Sequence, residues 1–155
     1  MSREESTGVE NLDNHECWSL LRTVSVGRLA TLVDGSPDIF PLNYTVDHGT
    51  VVFRTGEGSK LDASLGGSGV ALEADGVDTA TGMAWSVVIK GNAAAITGTE
   101  EVLDSAALYL FPWQAGTKNH FVRITPGSVT GRRFTVTSPM TWWTQLSGAP
   151  RAAPE

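Results

Sequence analysis

The sequence predicts a mainly β protein, a small closed barrel of about six to seven antiparallel strands with few, short helices. Three observations predict it. Turn signals at Asp34-Gly35 and Asp47-His48-Gly49 cut residues 26–55 into three β-rich segments, the pattern of an antiparallel meander. A long strand segment, Trp85–Ile96, carries Gly91, which marks a bulge. Helical periodicity is confined to short stretches, and closing such a sheet removes its exposed edges. A sandwich and an α+β sheet remain as alternatives at this level.

Residues 1–12 are polar and acidic and are expected to form a mobile arm. Asp13 or Asn14 caps a helix to about Val24, with Trp18, Leu21 and Cys17 on its packed face. Gly27–Val33 is the first strand of the meander. Pro37–Val46 returns, with Ile39, Pro41, Asn43 and Thr45 on one side and Phe40, Leu42, Tyr44 and Val46 on the other. Pro41 cannot donate to a ladder, so the strand is an edge or is bulged there. Thr50–Thr55 is the third strand and delivers Arg54 and Thr55. Ser59–Leu65 is a short helix ended by Gly66-Gly67. Gly69–Ala74 is a strand, Asp75–Gly82 a polar loop, and Trp85–Ile96 the long strand. A helix begins at Thr99-Glu100-Glu101 and an aromatic loop covers Phe111–Gln114. Phe121–Ile124 and Ser128–Thr135 are closing strands around a Thr125-Pro126-Gly127 turn. The domain is placed at residues 13–138, with a tail at 139–155.

Composition narrows the function. With 155 residues, 41% hydrophobic and 18% charged, the chain suits one folded domain. A net charge of -6 and no basic stripe argue against nucleic acid and anionic membrane surfaces. The N-terminus lacks the order of a signal peptide, no apolar run reaches spanning length, and a lone Cys17 fits a reducing cytoplasm.

Val51–Leu61 concentrates groups suited to a phosphate: Arg54, Thr55, Ser59, Lys60, glycine-freed N–H groups and a helix start. The bland alternative is a hairpin exit with two solvated cations. Gly56–Lys60 superficially looks like a nucleotide P-loop and fails, because Leu61 follows the lysine. His15, His48 and His120 are scattered and read as surface or structural residues, so no metal is expected. No serine sits in a nucleophile elbow. Glu100-Glu101 reads as a helix start, and Arg132-Arg133 as a solvated pair or an anion clamp. Trp85-Ser86 and Phe111-Pro112-Trp113 are either core or the border of a flat ring system.

Five segments in order carry a resemblance: 26–30 (Val-Gly-Arg-Leu-Ala), 38–44 (Asp-Ile-Phe-Pro-Leu-Asn-Tyr), 52–61 (Val-Phe-Arg-Thr-Gly-Glu-Gly-Ser-Lys-Leu), 85–91 (Trp-Ser-Val-Val-Ile-Lys-Gly) and 122–132 (Val-Arg-Ile-Thr-Pro…Val-Thr-Gly-Arg). Together they resemble the pyridoxamine 5′-phosphate oxidase-like proteins, flavin-binding split β-barrels, in their small actinobacterial branch. The resemblance implies a homodimer with FMN at the subunit interface and a flavin-dependent oxidoreductase acting on a small molecule. It places the phosphate on Thr55 and Lys60, with Arg54 and Ser59 beside them. It lays the ring along the strand of Pro41 and Asn43, with Trp85 and Ser86 approaching it. Trp113 is a candidate contribution from the partner subunit. Leu61 stands where the vitamin-converting oxidases carry a second base, and their substrate-binding C-terminal segment has no clear match. A non-catalytic flavin or F420 carrier, an F420-dependent reductase and a haem-handling barrel are the alternatives. No catalytic residue is named.

Overall fold

A computed structural model describes residues 8–56, 59–66, 69–96 and 120–136. The strands are β1 (Val9–Asn11), β2 (Val26–Val33), β3 (Ser36–Asp47), β4 (Thr50–Thr55), β5 (Gly69–Asp78), β6 (Met83–Ala95) and β7 (His120–Thr135). The helices are α1 (Asn14–Leu21) and α2 (Lys60–Ser64). All seven strands form one antiparallel sheet in the order β1-β7-β4-β3-β2-β5-β6, and an additional β6–β7 pairing closes it. The fold is a mainly β split barrel with short helices, as the sequence led one to expect.

Local chemistry explains the meander. Asp34-Gly35 and His48-Gly49 are two-residue loops whose four residues all have positive φ (53°, 80°, 51° and 73°). Two successive left-handed residues give a turn whose twist matches the strands it joins. The inner faces of the strands bury Leu29, Leu42, Val51, Phe53, Leu72, Val87, Ile89 and Ile124. Cys17 and Leu21 of α1 join the same core. Asp13 caps α1 by accepting from the Glu16 N–H at 2.8 Å, and the Glu16 carboxylate accepts from the Asp13 N–H at 3.3 Å. The Tyr44 hydroxyl, buried among these residues, donates to the Leu21 carbonyl at 2.6 Å, which accounts for its polar tip.

Several expectations are corrected. Val9–Asn11, placed in a mobile arm, pairs with Arg132–Phe134 as a seventh strand. Arg133 reaches Glu10 at 3.4 Å and Glu16 at 3.8 Å, so it is neither simply solvated nor an anion clamp. β5 continues to Asp78 through the stretch read as a polar loop, because β6 pairs with it as far as Met83. The two closing strands are one strand, β7, and Thr125-Pro126-Gly127 is no turn. Lys90 faces Ser128 and Gly91 faces Pro126, which leaves Gly127 bulged. A proline is tolerated there because the ladder is already interrupted. The expected bulge at Gly91 is present. A Cβ at Gly91 would run into the Thr125 carbonyl oxygen and lie 2.9 Å from the Pro126 Cα. The expected helix after Thr99, the aromatic loop with Trp113, and the tail lie outside the described residues.

Candidate functional site

β4 alternates as strands must. Phe53 and Thr55 face inward, and Thr55 is 2% exposed. Arg54 faces outward, its guanidinium 5.4 Å from the centre of the Phe121 ring. The adjacent pair therefore leaves the strand on opposite faces, a separation the linear reading of one cradle did not include. The Thr55 Oγ1 lies 3.1 Å from the Ser59 Oγ. Ser59 is the N-cap of α2, and its Oγ accepts the Asp62 N–H at 3.0 Å. When Thr55 also donates to that oxygen, the Ser59 proton is left to donate to a ligand.

α2 itself contributes less than expected. Five residues make little more than one turn, and one of its N–H groups is already taken by Ser59. The side chains must supply the contacts. Lys60 opens the helix, which places its backbone beside Ser59. Leu61 packs against the core, and Thr31 Oγ1 donates to the Ser64 carbonyl at 3.2 Å, so the helix is tied to β2.

Two further residues join the cluster that the sequence reading did not place there. Asp62 Oδ1 is 3.0 Å from His120 Nδ1. His120 lies opposite Thr55 in the β4–β7 ladder. The Ser59-x-x-Asp62 spacing was a visible capping signal. His120 had no local signal, because 65 residues separate it from Thr55 and only strand pairing brings them together. Over residues 54–62, Arg54 and Lys60 stand against Glu57 and Asp62, a net formal charge of zero.

Pro41 and Asn43 lie on the outer face of β3. β3 pairs with β4 only through Tyr44–Asp47, so Pro41 has a partner strand on one side, where Arg28 opposes it. The expected interruption is thus an edge. Asn43 Nδ2 donates to the Ser25 carbonyl at 3.3 Å, which uses one of its two N–H donors.

Trp85 and Ser86 are not part of this cluster. Ser86 opposes Asp75 and Arg132, and Trp85 opposes Gly76 and Arg133. From Arg54, the route over β3, β2 and β5 to Ser86 crosses four strand spacings, roughly 19 Å. The route over β7 reaches β6 at Ala95, opposite Val122, and Ser86 is then roughly 30 Å back along the strand. Trp85 and Ser86 instead line a cavity of about 340 Å³ with Asp75, Val77 and Phe134. A Cβ at Gly76 would sit 2.7 Å from the Trp85 Nε1, so the missing side chain lets the indole lie against β5. Nearby, Arg28 Nη1 bridges Glu73 at 3.2 Å and Asp75 at 3.1 Å. Burial, then the neighbouring Asp75, pushes the Glu73 carboxyl up to about 7.

Among the described residues no three His, Cys, Asp or Glu side chains converge as metal ligands, and no helix is long and apolar enough to cross a membrane. His48 pairs with Asp47 at 2.8 Å in its turn, its side chain 96% exposed, as a surface residue should be.

The sequence profile of pyridoxamine 5′-phosphate oxidase matches residues 13–133, which takes in the barrel and the Thr55–Ser59 cluster. The chain belongs to the pyridoxamine 5′-phosphate oxidase family. An FAD-binding protein of Mycobacterium smegmatis is 38% identical, with 81% of this chain and 97% of that one covered and a TM-score of 0.70. A candidate pyridoxamine 5′-phosphate oxidase of Corynebacterium glutamicum is 35% identical, with 84% and 97% covered and a TM-score of 0.72. An uncharacterised Mycobacterium tuberculosis protein is 33% identical over 142 residues, 88% of this chain and 93% of its own. The actinobacterial flavour of the resemblance is thereby shown.

Proposed function

We propose that this protein binds a phosphorylated flavin, FMN or FAD, and acts as a flavin-dependent oxidoreductase on a small molecule. The observation that carries the reading is the hydroxyl pair of Thr55 and Ser59, 3.1 Å apart at the end of β4, flanked in sequence by Arg54 and Lys60. Hydroxyl donors beside a Lys point charge suit a phosphate. The FAD-binding relative supports a flavin as the group attached to it. When bound, a flavin supplies the redox chemistry, and the protein supplies position, electrostatics and exclusion of water. In this reading Thr55, Ser59 and Lys60 hold the phosphate, Arg54 stands on the other face of β4, and the open edge at Pro41–Asn43 offers backbone groups to the polar edge of the ring.

The reading includes a homodimer. Ser86 and Trp85 line a cavity apart from the hydroxyl pair, and in this reading the cavity of one copy adjoins the hydroxyl pair of the other. Exposed Ile39 (64%) and Leu32 (50%) on the outer face of the barrel give such a contact apolar surface. The buried, unpaired Cys17 is compatible with a reducing cytoplasm.

The absorbance spectrum of the purified chain tests the reading, with the bound group identified by mass. A flavin spectrum is expected. A Soret band, a deazaflavin spectrum, or failure of the colourless protein to take up any flavin would overturn it. Reduction of the bound flavin by NADH or NADPH, followed by reoxidation with small-molecule acceptors, separates an oxidoreductase from a carrier. Size-exclusion chromatography with light scattering tests the dimer.

A further inference from the structure

We propose that His120, in its protonated form, attracts the flavin phosphate held by Thr55 and Ser59, so that the site loosens as pH rises; this rests on the flavin reading above. His120 stands directly across the β4–β7 ladder from Thr55. Residues paired in this way project to the same face, with Cβ atoms about 4.5–5.5 Å apart. That face is the inner one, since Thr55 and Val122, two residues on from His120, are each 2% exposed. Thr55 Oγ1 in turn lies 3.1 Å from Ser59 Oγ. The imidazole therefore shares one end of the barrel with both hydroxyls. Its side chain is 39% exposed, so that end is open to a ligand from solvent.

Asp62 ties that imidazole to the hydroxyl pair. Its Oδ1 lies 3.0 Å from His120 Nδ1, and its own N–H donates to Ser59 Oγ at 3.0 Å. Among the described residues, Asp62 is the charged group that α2 turns toward His120. Arg54 leaves β4 on the opposite face, over the Phe121 ring, and Arg123 of β7 is turned to Asp47 at 2.8 Å. Protonated, His120 makes a neutral pair with Asp62. Deprotonated, it leaves the pair with a net negative charge, which repels a phosphate. The phosphate responds to the charge itself and needs no particular N–H of the ring. An imidazole makes this change between about pH 5 and 8. Linkage fixes the sign: a phosphate that prefers the protonated ring raises the ring's hold on its proton, and is itself held more weakly once the proton is lost.

The test is isothermal titration of the flavin-stripped full-length chain and of His120→Gln with FMN, FAD and riboflavin, from about pH 5.5 to about pH 9, which spans the imidazole range. Comparing variant and unaltered chain at each pH cancels the ionisation of the ligand itself. His120→Gln is expected to bind the phosphorylated flavin, FMN or FAD, about fivefold more weakly at the acid end, the effect of a pKa raised by most of one unit on binding. At the alkaline end the two should coincide. Riboflavin, which has no phosphate, should show no such difference at any pH. A second readout needs only the unaltered chain. In proton NMR the His120 ring should titrate at higher pH when a phosphorylated flavin is bound, with the exposed His48 as internal reference. A ratio of variant to unaltered affinity that stays constant across pH, an equal effect on riboflavin, or a His120 titration that does not move overturns the proposal and leaves the flavin reading standing. Binding of neither FMN nor FAD at any pH overturns the flavin reading itself, and this proposal with it.

Discussion

Asp62 holds the imidazole of His120 at 3.0 Å, on the residue that stands directly across the ladder from Thr55. A helix of five residues is thereby fastened to the two strands that meet at the end of the barrel. Ser59 sits in the corner of that arrangement and has two duties, capping the helix and presenting a hydroxyl. They are separable by mutation.

Ser59→Ala should cost about 1 kcal/mol of stability, the ordinary value of a lost N-cap, and should weaken flavin binding. Ser59→Asp keeps a capping acceptor and adds a negative charge. It should melt near the unaltered protein and bind flavin far more weakly. Thermal melts beside flavin titrations check both, and parallel loss of stability and binding in Ser59→Asp would remove Ser59 from the phosphate site.

Lys60→Ala should weaken binding of a phosphorylated flavin by about 1.5–3 kcal/mol, the scale of a charge-assisted hydrogen bond. Riboflavin, which has no phosphate, should bind the variant and the unaltered chain alike. Unchanged affinity for the phosphorylated flavin would show that the phosphate sits elsewhere.

The Glu73 carboxyl sets a pH dependence of stability. Its pKa rises from 4.5 to about 7 through burial first, then through Asp75, against the opposing pull of Arg28. A carboxyl with a raised folded-state pKa binds more protons folded than unfolded, so its contribution is complete at low pH. That contribution falls as pH rises from 4.5 to about 7. Glu73→Gln should flatten the melting temperature over this window. A steeper dependence in the variant would mean that Glu73 is not the group responsible.

Gly91→Ala should destabilise the barrel by about 3 kcal/mol, the upper part of the range for overpacking. The added Cβ meets backbone on β7, at the Thr125 carbonyl and the Pro126 Cα, and backbone cannot rotate away as a side chain can. Urea denaturation measures it. A loss under about 0.5 kcal/mol, the size of an ordinary surface change, would show that the bulge relaxes.

Much of the barrel was legible in order along the chain. Asp34-Gly35 and His48-Gly49 impose their turns through local backbone preference, and the alternation of Asn43, Tyr44, Thr45 and Val46 assigns faces by a period of two. Gly91 was legible as a bulge for the same local reason. Pro126 misled because proline looks like a turn when its bulged partner strand is out of view. β1 was missed because three exposed residues have no pattern of their own and become a strand only by pairing with β7.

The candidate site divides the same way. The residues between Arg54 and Lys60 are neighbours in sequence, so their chemistry could be read by itself. The sequence therefore determined the kind of site, hydroxyls and cations at the end of a strand, and the family to which the barrel belongs. Tertiary structure decided which of those groups work together. Strand alternation turned Arg54 and Thr55 to opposite faces, and closure of the barrel placed Ser86 on a distant part of its wall. The β4–β7 register set His120 opposite Thr55, where it meets Asp62. Charge balance depends on which side chains converge in space, and that convergence is a property of strand register rather than of neighbouring residues.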